Sequence, residues 1–429
     1  MEITSLEQRM DNSATTPLFY KIFALVSGGM FLDAIDVYMA SGVSSVLLKS
    51  GWSTLMENTI FLSVGFMGLF IGSLLAGLVG DRYGRRRAYQ MNLLLFGGFT
   101  FLGAVAPNMI FLIFCRFFSS VGLGSEIVTG YSMLNEFAPI KSRGRWCAAA
   151  SLIANCGAPI TMLLCTVLIP KFSWRIMFVL VGVLAIVLWI LRRDIPESPR
   201  WLMAQKRYPE AEKIIQQLEG NHTHQQSDFA TPAASATHEP KIGRSLVVAI
   251  VAVSATIICQ YTFTTWVPTL LVKRGINVVN SLSFSTVMML GAPTGALIGV
   301  LLVDRIDRKK LIVPTFILTA VFGLLYAVQT NATAVMIVGF LLTTCFYVLM
   351  ASVVAVYVAE LFPTAFRFRG SGIANATAKL LTVGMPYAVA AFLTWFSASL
   401  IFVMISAIAL IAAIVVWWLG PETRQKAIR

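Results

Sequence analysis

Charge is scarce in this chain: of 429 residues, 12% are Asp, Glu, Lys or Arg and 57% are hydrophobic, where a soluble domain carries about 25% charged residues. That scarcity excludes an ordinary soluble fold. Acid is scarcer than base, 20 residues against 33, leaving a formal net charge of +13. A basic chain can seek nucleic acid, a membrane surface or acidic ligands, so the placement of the cations has to choose. Histidine occurs only as His222, His224 and His238, all in one polar stretch, so the apolar part lacks the commonest metal ligand. Cys115, Cys147, Cys156, Cys165, Cys259 and Cys345 lie in apolar runs with no CxxC spacing, which argues against a disulfide framework and a zinc site. No metal and no cofactor is expected. With no nucleophile beside its base and no nucleotide-binding loop, neither is an enzyme.

What the chain has is twelve apolar runs long enough to cross a bilayer, at about 20 residues each. They lie near 19–41, 58–79, 88–106, 109–133, 146–169 and 174–191, then near 246–268, 283–303, 311–328, 332–358, 371–396 and 398–419. Residues 1–18 are polar and the first run is too long for a signal-peptide core, so no cleavable signal is expected. Lys and Arg in short loops stay preferentially on the cytoplasmic side. With the N-terminus inside, 26 of the 33 fall at cytoplasmic ends and loops, five outside (Lys49, Lys171, Arg175, Lys273, Arg274) and two within spans (Arg116, Lys379). Both termini are therefore expected in the cytoplasm. Nucleic acid drops out as a partner, because the cations form small clusters between apolar spans and no strip for a phosphate backbone. The expected fold class is an all-α membrane protein with twelve transmembrane helices in two pseudo-symmetric six-helix halves, residues 1–193 and 245–429. A cytoplasmic linker, 194–244, joins them, with a short amphipathic helix over 203–219 that puts Ile214, Ile215 and Leu218 on one side.

The halves repeat each other. Asp81–Arg82 and Arg85–Arg86–Arg87 match Asp304–Arg305 and Arg308–Lys309–Lys310; Glu136, Pro139 and Arg143 match Glu360, Pro363 and Arg367; Pro196–Glu197 matches Pro421–Glu422. The offsets are 223, 224 and 225 residues, so three features share one register. The run from Gly77 through Asp81, Arg82 and Gly84 to Arg87 resembles the loop-2/3 motif of the major facilitator superfamily. Glu136-Phe-Ala-Pro139 with Arg143-Gly144, and Pro196-Glu-Ser-Pro-Arg200-Trp201, resemble the branch shared by sugar porters, organic-ion transporters and aromatic-acid/proton symporters. Phe31-Leu-Asp33-Ala-Ile-Asp36 resembles the paired-aspartate motif of the aromatic-acid symporters, with Ala34 where that pattern usually has Gly. Hexose porters carry Gln-Gln then Ser-Gly in the seventh helix, where this chain has Cys259-Gln260-Tyr261-Thr262-Phe263. The resemblance implies a substrate site near the bilayer midplane between halves that rock. It also implies gating by Asp81, Arg82, Arg85, Glu136, Arg143, Asp304, Arg305, Glu360 and Arg367, whose bonds hold one conformation and break in the other.

Ionisable groups inside a membrane are functional candidates by default. Asp33 and Asp36, three apart on the first helix, share a face and are candidate proton carriers together with Glu126. Asp33 and Arg116 lie at matching depths and could pair. Lys379 falls near the midplane, where organic-anion members of the family generally carry Arg, and is a candidate for a substrate carboxylate; a permanent pair with Glu126 or Asp36 is the alternative. Asn155, Gln260, Tyr261 and Asn375, with Arg116, complete the candidate substrate residues. Trp266, Trp417 and Trp418 read as interfacial anchors. The expected function is proton-coupled import of a small organic anion, an aromatic or other monocarboxylic acid, by an inner-membrane monomer whose coupling ion is the proton. Sugar or polyol symport, drug or cation export and a non-transporting sensor are the competing readings.

Overall fold

The computed structural model describes residues 6, 9, 16–139, 142–219, 242–273, 275–303, 305–362 and 367–423; of Arg143, Glu219, Ala359, Arg367 and Phe368 it describes the backbone alone. The first half comprises α1 (Pro17–Lys49), α2 (Leu55–Tyr83), α3 (Arg85–Gly103), α4 (Met109–Phe137), α5 (Arg143–Phe172) and α6 (Arg175–Leu191). Two short helices follow, α7 (Pro199–Ala204) and α8 (Tyr208–Glu219). The second half comprises α9 (Ile242–Lys273), α10 (Val278–Met289) continuing into α11 (Gly291–Val303), α12 (Arg308–Val328), α13 (Ala332–Leu349), α14 (Val358–Glu360), α15 (Arg367–Trp395) and α16 (Ser399–Leu419). A π-helical stretch, Met350–Tyr357, joins α13 to α14. Among the described residues, eleven segments are long and apolar enough to span a membrane. The twelfth, α3, has 19 residues and opens on Arg85-Arg86-Arg87, which lowers its mean hydropathy without shortening it below about 28 Å.

Each apolar window buries between 28% and 56% of its residues inside the protein. The remainder faces outward: Leu78, Ile110, Ile337 and Ile414 are all exposed, as a lipid-facing surface requires. Trp417 and Trp418 are exposed at 60% and 75%, in keeping with anchors, but Trp266 is 1% exposed. It packs in the core beside Phe263 and Leu270, because its helix is buried on nearly every side where the two halves meet.

Both termini of the described chain, and the α2–α3, α4–α5, α12 and α14 boundaries, lie at one end of the bundle, here the terminal end. The repeat is visible there as chemistry. Neither Gly84 nor Asp307 caps the helix it precedes. A glutamate from the end of each half does so instead. Glu197 Oε1 accepts from the Arg86 backbone N–H at 3.0 Å. Glu422 Oε1 and Oε2 accept from those of Arg308 and Lys309 at 2.9 and 3.1 Å. A carboxylate there satisfies orphan donors and the positive helix end together. Gly84 permits this: its φ is +94°, and a Cβ would strike the Glu197 carboxylate. Glu422→Ala is expected to cost about 1–2 kcal/mol, seen as a lowered melting temperature in detergent; Glu422→Gln, which keeps an acceptor, should lose less.

The amphipathic linker helix forms as Tyr208–Glu219. Ile215 and Leu218 are buried, and Ile215 clusters with Leu6, Leu202, Met203 and Ala211. Residues 220–241 of the expected linker lie outside the described residues.

Candidate functional site

The first half buries three carboxyls and two guanidiniums in its interior. Asp33, Asp36, Arg116, Glu126 and Arg192 are exposed by 2%, 0%, 6%, 1% and 1%. Arg116 Nη1 donates to Asp36 Oδ2, and Thr100 Oγ1 approaches Asp36 Oδ1 at 3.4 Å. The expected Asp33–Arg116 pair is thus corrected by one helical turn: both aspartates share a face, and the arginine reaches the outer of the two. Arg192 Nη1 donates to Glu126 Oε1 at 2.5 Å and Nη2 to Leu25 O at 3.0 Å. Its guanidinium stacks on the Tyr89 ring at 3.9 Å. A Cβ at Gly29 would collide with that guanidinium and with Glu126, so the bare backbone of α1 makes room for the pair. Glu126 therefore has a partner other than Lys379. In sequence, Arg192 reads as a loop cation.

That pairing leaves one carboxyl over. Among the described residues, both oxygens of Asp33 are buried without a hydrogen-bond partner, while Glu126, Arg192 and Asp36 are its electrostatic neighbours.

The second half contributes different groups. The Tyr38 and Tyr347 hydroxyls are hydrogen-bonded across the halves, and Gln260 Nε2 donates to both at 3.3 Å. Among the described residues, Gln260 Oε1 is buried without a partner. Tyr261 meets Phe66 edge to face at 5.1 Å. Farther from the terminal end, Ser41 Oγ donates to Thr265 O at 2.6 Å and Ser63 Oγ to Val383 O at 2.8 Å. These bonds close the bundle from its middle toward the far end.

Lys379 lies one turn before Val383 on α15, about 18 Å along the helix from Arg367. It is partly buried and makes no hydrogen bond or ion pair among the described residues. Tyr261 packs against the cluster that holds Ala374 and Ala378 of the same helix. Asn375 spends its amide on Ser371 O at 2.9 Å, and Asn155 is partly exposed on α5.

Among the described residues, the expected gating residues meet within each half. Arg85 bridges Asp81 at 2.6 Å and Glu136 at 3.3 Å, and the Trp201 indole donates to Asp81 O at 3.0 Å. In the repeat, Arg308 binds Glu360 at 2.8 Å. Arg82 stacks on Tyr83 and Arg305 is exposed. Asp304 lies outside the described residues, as do the side chains of Arg143 and Arg367.

Among the described residues no group of three or more His, Cys, Asp or Glu is arranged to hold a metal ion.

A family model described as sugar (and other) transporter matches residues 29–429. The inner membrane metabolite transport protein YdjE of Escherichia coli is 34% identical over 98% of this chain and 96% of its own. The niacin transporter NiaP of Acinetobacter baylyi is 26% identical over 99% of this chain and 98% of its own. Among solved structures, a partially occluded inward open conformation of the xylose transporter XylE from E. coli superposes with a TM-score of 0.78. That structure has 18% identity and covers 96% of this chain and 100% of its own. The buried charges, the seam between two six-helix halves and the repeated end networks thus belong to a multi-pass membrane transporter, and the chain is a member of the sugar (and other) transporter family within the major facilitator superfamily.

Proposed function

We propose that the protein imports a small organic anion, an aromatic or other monocarboxylic acid, together with a proton. The observation that carries this is a pair of unmatched ionisable groups, Asp33 in the first half and Lys379 in the second. An unpaired buried charge costs several kcal/mol, which a proton on Asp33 would remove, and a carboxylate would neutralise the partly buried Lys379. Loaded with both, the halves close around a neutral interior. Empty, they retain two charges that water must reach. Tyr261 and Phe66 supply an aromatic wall, and Gln260 an amide, for the body of such a substrate. A relative named for niacin, an aromatic carboxylate, fits this reading.

With the terminal end cytoplasmic, as the loop cations argue, a seam bonded toward the far end is an inward-facing arrangement. Asp81, Arg85, Glu136, Arg308 and Glu360 then act as gating residues by rigidifying the inner rim of each half. The working unit is a monomer in the inner membrane.

The test is uptake of labelled aromatic carboxylates into energised vesicles, with and without a protonophore. Lys379→Ala is expected to raise KM for a carboxylate about tenfold to a hundredfold, the loss of one charged contact. Uptake insensitive to the protonophore rejects coupling. Sugar or polyol symport is the second reading, favoured by the family description; it prevails if Lys379→Ala leaves uptake of a neutral solute intact and no carboxylate competes.

A further inference from the structure

At the far end, away from the seam, the α1–α2 and α5–α6 turns line an open cavity of about 470 Å³. Its walls are Val46, Ser50, Trp52, Ile169, Ser173 and Trp174. The two indoles lie 5.0 Å apart, tilted by 55°. The Arg175 guanidinium stacks on Trp174 at 4.4 Å and lies 5.9 Å from the Trp52 ring. Its Nη2 donates to Ala106 O at 2.9 Å, and it forms no ion pair among the described residues.

Two further observations single this place out. Ser173 is held at φ +131°, a conformation that non-glycine residues rarely adopt and that concentrates at ligand sites. The charge of the surroundings is one-sided as well. Among the described residues, the far-end turns and helix ends carry Lys49, Lys171, Arg175 and Lys273 against one acid, Glu57. Glu57 is engaged with Thr54, accepting from its N–H at 2.7 Å and its hydroxyl at 2.9 Å. Lys49 and Lys171 stand on the two helices whose ends form the cavity and are exposed. A transporter of the family needs no cations there for orientation; the positive-inside tendency disfavours them.

We propose that this cavity is a recruitment site for the substrate: an aromatic carboxylate whose ring lies against Trp52 and the edge of Trp174, which is 6% exposed, and whose carboxylate meets Arg175, drawn in by Lys49 and Lys171. An indole and a guanidinium are complementary to a flat anion, and the cavity is large enough for one aromatic ring. A surface surplus of cations raises the local anion concentration and the capture rate, and salt screens both. The inference rests on the reading that the far end faces outward and that the substrate is an anion.

Uptake of nicotinate, with nicotinamide as neutral control, tests it in vesicles containing the full chain. Arg175→Gln is expected to raise KM for nicotinate about tenfold at low salt with little change in Vmax. Lys171→Gln, on the exposed rim, should raise it about twofold, and that increment should vanish at high salt. A KM unchanged in both variants, or a fall in Vmax alone, overturns the proposal. If the wild type transports neither nicotinate nor benzoate, the substrate reading above fails and binding decides the pocket by itself. Quenching of tryptophan fluorescence by benzoate in the purified protein, lost in Trp52→Phe and Arg175→Gln, upholds the site; no quenching in the wild type overturns it.

Discussion

Asp33→Asn is expected to abolish accumulation of substrate against its gradient while leaving exchange of labelled for unlabelled substrate at close to wild-type rates. Asn is nearly isosteric with Asp and cannot carry a proton across the cycle. Among the described residues, both Asp33 oxygens are buried without a hydrogen-bond partner, so none of these residues loses a hydrogen bond by the change. The neighbouring Asp36→Asn should behave differently: it leaves Arg116 buried without its carboxylate and lowers stability as well as transport. Accumulation ratios and counterflow in proteoliposomes, run at several external pH values, check the pair. Asp33→Asn protein that still concentrates its substrate in response to a pH gradient would remove Asp33 as the carrier.

The second large effect concerns stability. Glu126 and Arg192 have side-chain exposures of 1% and 0%, and removing either leaves the other buried without its ion-pair partner. Glu126→Leu or Arg192→Met alone is expected to cost about 3–5 kcal/mol, enough to prevent recovery of folded protein at growth temperature. Replacing both together restores most of it, because an apolar pair in that volume needs no counter-charge. Thermal unfolding in detergent of the two single variants and the double variant measures the coupling. Strictly additive losses would mean that the pair does not act as a unit.

The spans were legible because about 20 apolar residues in succession suit little besides a bilayer crossing, and the repeat because three polar features kept offsets within two residues of one another across a lipid-facing background. Arg192 was not legible. It stands in Leu191-Arg192-Arg193-Asp194, which reads as a loop cluster, and its inward turn depends on packing against Tyr89 and Leu25. A signal did exist within the repeat: offsets of 224 and 225 place Met350 opposite Glu126 and Trp417 opposite Arg192, so the second half lacks both partners together. The Asp33–Arg116 expectation failed for a different reason. Residues three apart on one helix differ by under about 5 Å in depth, finer than span boundaries read from hydropathy. Trp266 was misplaced because sequence places an aromatic near a helix end but cannot say that the end is enclosed by a second half.

Among the described residues, the hydrogen bonds across the seam are made by hydroxyls, an amide and backbone carbonyls. Neutral bonds of this sort contribute about 0.5–1.5 kcal/mol each, and the apolar cluster that spans both halves adds contact without adding charge. Membrane voltage does work only on displaced charge, about 2.3 kcal/mol per unit charge per 100 mV, and finds none in these contacts. With a proton on Asp33 and a monovalent carboxylate on Lys379, the loaded carrier moves no net charge. The empty one, with Asp33 ionised opposite Lys379, moves none either. A cycle built this way is electroneutral: it draws on the proton concentration difference across the membrane and is indifferent to the electrical half of the proton-motive force.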